Sequence, residues 1–251
     1  MTQAQIIEAL DNNLWIAEQP LRYFGLEVGT RMTVIRLSSG ALAVVSPVEI
    51  SDRLKQQLDS IGPVKHIVAP NLYHYFYATG FKNSYPTATF WATTGLKEKK
   101  PNLPVDRVLG ADGVSSQTDL WTDLEGHLLD GYRTLGSGGV EPLNEWVFFH
   151  AASRTLILTD AAFHFDQSFP LITQLAARVG GSYQRLGPSL IERVVTTDKA
   201  RVKASMEKIL SWDFERVVMA HGTVVECDGK RKLAASYDRF LGPEYSLSAF
   251  L

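Results

Sequence analysis

The chain has 251 residues, of which 45% are hydrophobic and 10% aromatic. This is enough to bury a sizeable core, and it excludes a disordered chain, a collagen-like fibre and a disulfide-stapled mini-protein. The 25 Lys and Arg residues against 27 Asp and Glu residues leave a net charge of -2, which lacks the concentrated positive field of nucleic-acid-binding proteins.

The cysteine content and the hydropathy pattern bear on the compartment. A single cysteine, Cys227, excludes an internal disulfide framework and favours a reducing compartment. No stretch approaches the roughly 18 apolar residues of a spanning helix, and the N-terminal segment lacks a signal-peptide pattern. We therefore expect a cytoplasmic protein with neither a membrane nor a nucleic-acid partner. The oligomeric state stays open.

The first half of the chain consists of short β segments. The segments with strand-like composition are 14–18, 21–28, 32–37 and 41–47. The turn residues Ser38, Ser39 and Gly40 separate the last two, as a hairpin requires. The pattern predicts a meander of antiparallel strands.

A helix and a buried strand follow this meander. Apolar residues from Ile50 to Ile61 recur at helical spacing, with Ser51 as the predicted N-cap. Residues 66–70 form a short apolar run that ends at Pro70 and leads into the aromatic loop 71–80. Because α/β folds place their chemistry in such loops, segment 71–80 is the first candidate site.

The second half predicts loops and short strands, then mainly helices. Residues 97–139 are rich in turn signals, and no linker or repeat marks a boundary, so we expect one domain over residues 1–251. The predicted strands are 145–150, 154–160 and 214–222, and the predicted helices are 168–179, 198–211 and 229–241, with a short helix in 186–193.

Side chains suited to metal binding follow several of these elements. His74 follows strand 66–70, Glu141 precedes strand 145–150, Asp160 ends strand 154–160, and His221 is the second-to-last residue of strand 214–222. Imidazole and carboxylate groups are the usual ligands for zinc, iron or manganese. His164 lies four residues after Asp160, so a helical segment there would bring both to one side.

The segments VAPNLYHYF, WVFFHAASRTLILTD and VVMAHG together resemble the metallo-β-lactamase fold superfamily, in a bacterial branch that is a domain of unknown function. The resemblance spans most of the chain. It implies an α/β fold, a four-layer αββα sandwich of two mixed β-sheets flanked by helices. It also implies one or two metal ions held at loops after the strands.

The loop after the first buried strand departs from the superfamily's His-x-His-x-Asp-His motif. If Gly80 matches the second glycine that follows the motif, His74 falls on the second histidine, while Leu72, Phe76 and Tyr77 occupy the other ligand positions. Shifting the alignment by one residue leaves no histidine in register. The metal-binding loop is therefore degenerate.

The remaining ligands of the superfamily have counterparts in this chain. Glu141 falls on the next histidine, Asp160 on the metal-bridging aspartate and His221 on the terminal histidine. The resemblance thus implies a mononuclear site for one zinc, iron or manganese ion with His74, Asp160 and His221 as ligands. Glu141 completes the coordination sphere or acts as general base, and His164 is an extra ligand or proton shuttle.

Two functions of different classes follow from these residues. The first is a metal-dependent hydrolase of a small ester, thioester or lactone, in which Glu141 or Asp160 handles the proton. The second is a catalytically silent relative without a metal, which binds a small molecule or has a structural role. In that case Asp160 caps a turn and Glu141 is a loop carboxylate. Iron-based redox chemistry ranks last.

Overall fold

The computed structural model describes residues 7–111, 119–136 and 138–250, and its contacts form two compact units. Unit 1 comprises residues 1–21 and 29–125, and unit 2 comprises residues 22–28 and 126–251. Part of the turn-rich region, residues 112–118 and Ser137, lies outside the described residues. The single domain over residues 1–251 stays a prediction.

Unit 1 contains a seven-stranded mixed sheet with strand order β1-β2-β5-β6-β7-β8-β9. Its strands are β1 (Glu8–Asp11), β2 (Leu14–Gln19), β5 (Thr30–Arg36), β6 (Leu42–Val45), β7 (Val64–Ala69), β8 (Thr89–Ala92) and β9 (Arg107–Val108). The first four pair antiparallel, as the predicted meander requires, and the pairs from β6 to β9 are parallel.

Helices connect the strands of unit 1 and cover its core. Among the described residues of unit 1, the helices are α1 (Asp52–Ile61), α2 (Ala78–Ser84), α3 (Leu96–Lys99) and α4 (Leu120–Asp123). The Ser51 side chain accepts a hydrogen bond from the Leu54 N–H, which confirms the predicted N-cap of α1. Leu54 and Leu58 of α1 pack with Phe81 of α2 in one buried apolar cluster.

His66 lies on β7 and is buried between two partners. The Trp91 Nε1–H donates to its Nδ1 at 3.1 Å, and its Nε2 lies 2.8 Å from Oδ1 of Asp119. The neutral ring therefore carries its proton on Nε2 and donates it to the carboxylate. Burial lowers the pKa of His66 against the opposing effect of Asp119.

We expect His66 to make the fold sensitive to acid. Because its pKa is lowered in the folded state, its contribution to the free energy of unfolding is present above about pH 6.5, the pKa of an unperturbed His. That contribution is lost as the pH falls through the lowered pKa. Urea unfolding of wild type and His66→Gln between pH 8 and pH 5 measures this, and the variant should lose less stability on acidification. Equal losses in both proteins would contradict the prediction.

Unit 2 contains a four-stranded mixed sheet with strand order β10-β13-β14-β15 and two ribbons. The sheet strands are β10 (Leu124–Leu129), β13 (Glu145–His150), β14 (Thr155–Ile157) and β15 (Arg216–Val218). The ribbons pair β3 (Arg22–Tyr23) with β4 (Leu26–Glu27), and β11 (Arg133–Gly136) with β12 (Gly139–Pro142). The first two residues of β10 precede the unit boundary.

The helices of unit 2 follow β14 in sequence, apart from a short 3-10 turn at Ala151–Ser153. They are α5 (Leu171–Gly180), α6 (Leu190–Val195), α7 (Lys199–Leu210) and α8 (Gly229–Leu241), with further 3-10 turns at Pro243–Tyr245 and Ser248–Phe250. Asp198 caps α7, and Ser189 forms a capping box with Glu192 in α6. Tyr132, Tyr237 and Phe240 pack together in the core.

Two segments differ from their sequence-based prediction. Residues 21–28 form the β3–β4 ribbon instead of one strand, because Phe24 and Gly25 both have positive φ and reverse the chain. Residues 71–80, predicted to be a loop, end in the first turn of α2. The aromatic composition of the segment did not indicate this turn. The α/β fold class is confirmed, with a mixed sheet and helices in each unit. Among the described residues, no helix has both the length and the apolarity to cross a membrane.

Candidate metal site

Asp160 and His221 come together at the carboxyl ends of two neighbouring parallel strands. β14 pairs with β15 in a register that places Ile157 opposite Val218. Asp160 and His221 each follow three residues later, and the Nε2 atom of His221 lies 3.4 Å from Oδ1 of Asp160. Both side chains are largely buried. An imidazole and a carboxylate at this distance are of the types that can hold one metal ion together.

The turn that carries His221 depends on the glycine after it. Gly222 has a φ of +93° and forms a β-bridge with His164. A Cβ atom at this position would lie 2.2 Å from the carbonyl oxygen of His164. The Thr223 N–H donates to that same oxygen at 2.6 Å. Only glycine therefore allows the two backbone segments to approach closely enough to hold His221 beside Asp160.

A fully buried carboxylate, Glu145, holds the turn that carries Asp160. Its Oε1 accepts the N–H of Thr159 at 2.7 Å and of Ala161 at 3.2 Å. Its Oε2 accepts the Asp160 N–H at 2.7 Å and the Thr159 hydroxyl at 2.6 Å. Three consecutive backbone N–H groups thus point at one side chain. This fixes the backbone from which the Asp160 carboxylate projects.

Sequence reasoning missed Glu145, although the sequence carried a signal for it. β13 and β14 are antiparallel with Phe148 opposite Ile157, and extending that register by three residues places Glu145 opposite Asp160. A hairpin whose turn is Ala151–Ser153 produces this register, and the turn is the signal that the sequence carried. Tyr237 adds a second contact to the same turn, since its hydroxyl donates to the Ala161 carbonyl oxygen at 2.7 Å.

His164 lies beside the His221 turn, but for a different reason from the predicted one. Residues 163–165 form isolated β-bridges and not a helix, so helical spacing from Asp160 does not apply. The Nδ1 of His164 lies 3.1 Å from the Thr223 carbonyl oxygen, to which it donates, so Nε2 carries no proton in the neutral ring. Burial lowers the pKa of His164, which favours that neutral form. Its role as ligand or shuttle stays a prediction.

The charge of Asp160 acts on two nearby titratable groups, Tyr23 and Glu192. Burial raises the pKa of the Tyr23 hydroxyl, and the charges of Asp160 and Glu192 raise it further. Burial also raises the pKa of Glu192, against hydrogen bonds from Ser189 and Thr134, and the Asp160 charge again raises it.

Glu141 lies on β12 of the second ribbon. Its Oε1 accepts the Gly138 N–H at 3.1 Å, and the side chain is half-buried. The group of ligand atoms that contains Asp160 and His221 does not include an atom of Glu141. The predicted roles of Glu141 as ligand or general base stay predictions.

His74 belongs to unit 1 and has a defined ring orientation. Its Nδ1 lies 2.7 Å from the Ser46 hydroxyl, and the Asn71 side chain accepts the His74 N–H at 2.9 Å. Ser46 follows β6 with a φ of +55°. A ring held through Nδ1 in this way presents Nε2, the arrangement common among metal-binding histidines.

Three other residues of the degenerate loop have packing roles. Leu72 is buried in the core of unit 1, and Tyr73 and Tyr75 pack partly against that core. Lys99 and Lys100 lie over the rings of Tyr73 and Tyr75, respectively. At one ligand position of the motif, Leu72, the chain thus has a buried apolar contact, whereas Phe76, at another, is 75% exposed.

One family model matches most of the chain. The family model described as "Domain of unknown function (DUF4336)" matches residues 11–185. No curated protein sequence matches the chain.

Solved metallo-β-lactamase structures resemble the chain in fold. The metallo-β-lactamase from Pontibacter korlensis has a TM-score of 0.62 at 10% identity, over 96% of this chain and 100% of that one. FIM-1 from Pseudomonas aeruginosa, in a mono-zinc form, has 0.61 at 10% identity, over 95% and 96%. The enzyme from Hirschia baltica has 0.61 at 11% identity, over 96% and 98%. At these identities the likeness shows the fold, and it confirms the predicted metallo-β-lactamase-like fold class.

Proposed function

This chain belongs to the family described as "Domain of unknown function (DUF4336)", and we propose that it is a metal-dependent hydrolase with a mononuclear site. Asp160 and His221 are two ligands and His74 is the third. The substrate is a small ester, thioester or lactone. The observation that carries the proposal is the 3.4 Å separation of His221 Nε2 and Asp160 Oδ1 at the shared end of two parallel strands.

The spacing of this pair fits a metal ion. Two donors that each lie about 2.0–2.1 Å from a tetrahedral zinc ion are separated by roughly 3.3–3.4 Å. The observed 3.4 Å agrees with that value, whereas a direct N–H···O hydrogen bond usually spans about 2.7–3.2 Å. The donor types, imidazole and carboxylate, suit zinc, and equally iron or manganese.

His74 is proposed as third ligand on two grounds. It falls on a histidine of the superfamily motif, and the Ser46 hydroxyl at its Nδ1 leaves Nε2 as the coordinating nitrogen. Asp160 and His221 with His74 would give three protein ligands, the number typical of a catalytic zinc site with an open position.

Three further residues, Glu145, Glu141 and His164, have proposed roles beside the metal ligands. When bound, a divalent ion supplies a Lewis acid for a carbonyl oxygen and a source of hydroxide near neutral pH. Glu145 holds the Asp160 turn so that the carboxylate keeps its orientation. Glu141 is proposed to accept the proton of the attacking water, and His164, neutral in its buried position, to carry protons away from the site.

Metal content tests the proposal. We expect purified wild type to hold one ion per chain by elemental analysis, and zinc, manganese or iron to raise its thermal midpoint. Asp160→Asn and His221→Asn should lose both properties while keeping wild-type circular dichroism, and the control His127→Asn should retain them. The absence of stoichiometric metal in wild type, together with no gain in midpoint from any of the three metals, would rule out the metal site.

Glu141→Gln separates two roles of one residue. If Glu141 is the general base, the variant should retain the ion and lose most of the hydrolysis of a simple ester, roughly 10²–10⁴-fold. If the ion is lost as well, Glu141 acts as a ligand.

The packing of the degenerate loop favours one alternative, a catalytically silent protein. Leu72 fills the core at a position where the superfamily motif has a histidine, and a site that lacks most of its loop ligands can keep its fold without binding a metal. In that case Asp160→Asn and His221→Asn would change stability only, and the wild type would bind no metal. The same metal analysis therefore decides between the two functions.

A further inference from the structure

Helix α5 has its apolar side outside. The residues that it buries are Thr173, Gln174 and Ala177. Thr173 donates to the Glu27 carbonyl oxygen, and Gln174 donates to the Phe169 carbonyl oxygen at 2.8 Å. The exposed side of the helix carries four large apolar side chains with exposed fractions of 60–78%: Leu171, Ile172, Leu175 and Val179. A surface helix normally has the opposite arrangement.

Helix α6 likewise buries a polar residue and exposes its apolar side. Its buried residue is the carboxylate Glu192, which accepts hydrogen bonds from Ser189 and Thr134. Its exposed apolar residues are Leu190, Ile191 and Val194, with exposed fractions of 48–72%. α5 and α6 are in contact, and their seven exposed apolar side chains are here named the α5–α6 face.

The area of this surface exceeds what a monomer usually exposes. At roughly 100 Å² for each largely exposed aliphatic side chain, the α5–α6 face presents on the order of 700 Å² of apolar surface. The largest apolar patch of a typical monomer is roughly 300–600 Å². A standard protein interface takes roughly 800 Å² from each partner. Tyr23 and Phe24, 56% and 87% exposed on the ribbon whose strand β4 contacts α5, extend the surface further.

We propose that the α5–α6 face is the interface of a homodimer, with a second copy of this chain as its occupant. Leu171, Leu175 and Val179 recur every four residues and form an i±4 ridge that is inclined to the axis of α5. Such a ridge packs into the groove beside the same ridge of a two-fold related copy. The apolar character matches the core of a homodimer interface, which is depleted in charge.

The charges on these helices argue against a lipid surface. Helices that bind anionic membranes carry clustered Lys and Arg beside their apolar side. α5 has one charged residue, Arg178, whose guanidinium carbon lies 3.7 Å from the centroid of the Tyr183 ring. α6 has the pair Glu192 and Arg193. The electrostatic attraction that membrane binding needs is therefore small.

The oligomeric state of the full chain tests the proposal. We expect sedimentation equilibrium at micromolar concentration to give twice the 27.9 kDa of one chain. Leu175→Glu and Val179→Glu should each raise the dimer dissociation constant by roughly 30-fold or more, because they place a charge in a desolvated contact. Both residues are exposed, so circular dichroism should be unchanged. Ala204→Glu, on an exposed position of α7, is the matched control and should remain dimeric.

Several results would overturn the proposal. Wild type that stays monomeric up to about 100 µM excludes the dimer, since that concentration exceeds the dissociation constant of most specific homodimers. A dimer that Leu175→Glu and Val179→Glu leave intact, or that Ala204→Glu weakens equally, uses another surface. Monomeric wild type that co-sediments with phosphatidylcholine and phosphatidylglycerol vesicles, and loses this binding in Leu175→Glu, would assign the face to lipid instead.

Discussion

Glu145→Ala is expected to lower the free energy of unfolding by about 3–5 kcal/mol, because it leaves a cluster of buried donors without an acceptor. The Glu145 carboxylate accepts the backbone N–H groups of Thr159, Asp160 and Ala161 and the Thr159 hydroxyl. Each buried donor that loses its partner costs about 1–3 kcal/mol, and the costs are not additive. Urea unfolding followed by circular dichroism measures the change.

The isosteric variant Glu145→Gln separates a positioning role from a purely structural one. Its amide keeps the volume but turns an N–H₂ group toward one of the N–H donors, so the turn that carries Asp160 shifts while the fold survives. We expect zinc affinity, measured by competition with a chromogenic chelator, to fall roughly 10–100-fold. Glu125→Gln, on β10 of the same sheet, is the control. If the folded Glu145→Gln protein binds zinc with unchanged affinity, Glu145 stabilises the fold but does not position Asp160.

Strand registers explain how much of the site was predictable. Asp160 and His221 stand at the ends of apolar runs, and parallel neighbours bring such ends together, so the sequence could indicate this pair. Glu145 stands at the start of a run, where a polar residue looks like the solvent side of a strand. Only the antiparallel register with β14 shows that Glu145 lies opposite Asp160. Pairing information of this kind is not present in the local pattern of one strand.

Helical periodicity has a similar limit in α5 and α6. The apolar spacing in residues 168–179 predicts a helix correctly, and the structure has α5 there. Periodicity does not state which side of the helix contacts the protein, and the usual assumption places the apolar stripe inside. Here hydrogen bonds of Thr173, Gln174 and Glu192 hold the polar side inward instead. The specific side-chain partners of a buried polar residue therefore decide the orientation.

Gly222→Ala is expected to be among the most damaging single substitutions in unit 2. Its new Cβ atom would lie 2.2 Å from the carbonyl oxygen and 2.8 Å from the carbonyl carbon of His164, which are backbone atoms that cannot rotate away. The positive φ adds a conformational cost of about 1–2 kcal/mol. The two segments must separate, which breaks the 2.6 Å bond from the Thr223 N–H to His164. We expect a loss of more than about 3 kcal/mol in the free energy of unfolding.

A second glycine distinguishes steric overlap from backbone strain. Gly242 ends α8 with a φ of +86°, and no heavy atom lies within 4 Å of a Cβ built there. Its ψ of 174° places it in a backbone region that is essentially restricted to glycine. Gly242→Ala therefore incurs the conformational cost alone and should lose about 1–3 kcal/mol in the same urea experiment. Because His221 precedes Gly222, the Gly222→Ala protein should also lose zinc affinity, whereas Gly242→Ala should keep it. Equal stability losses in the two variants would mean that residues 164 and 222 are not in close contact in solution.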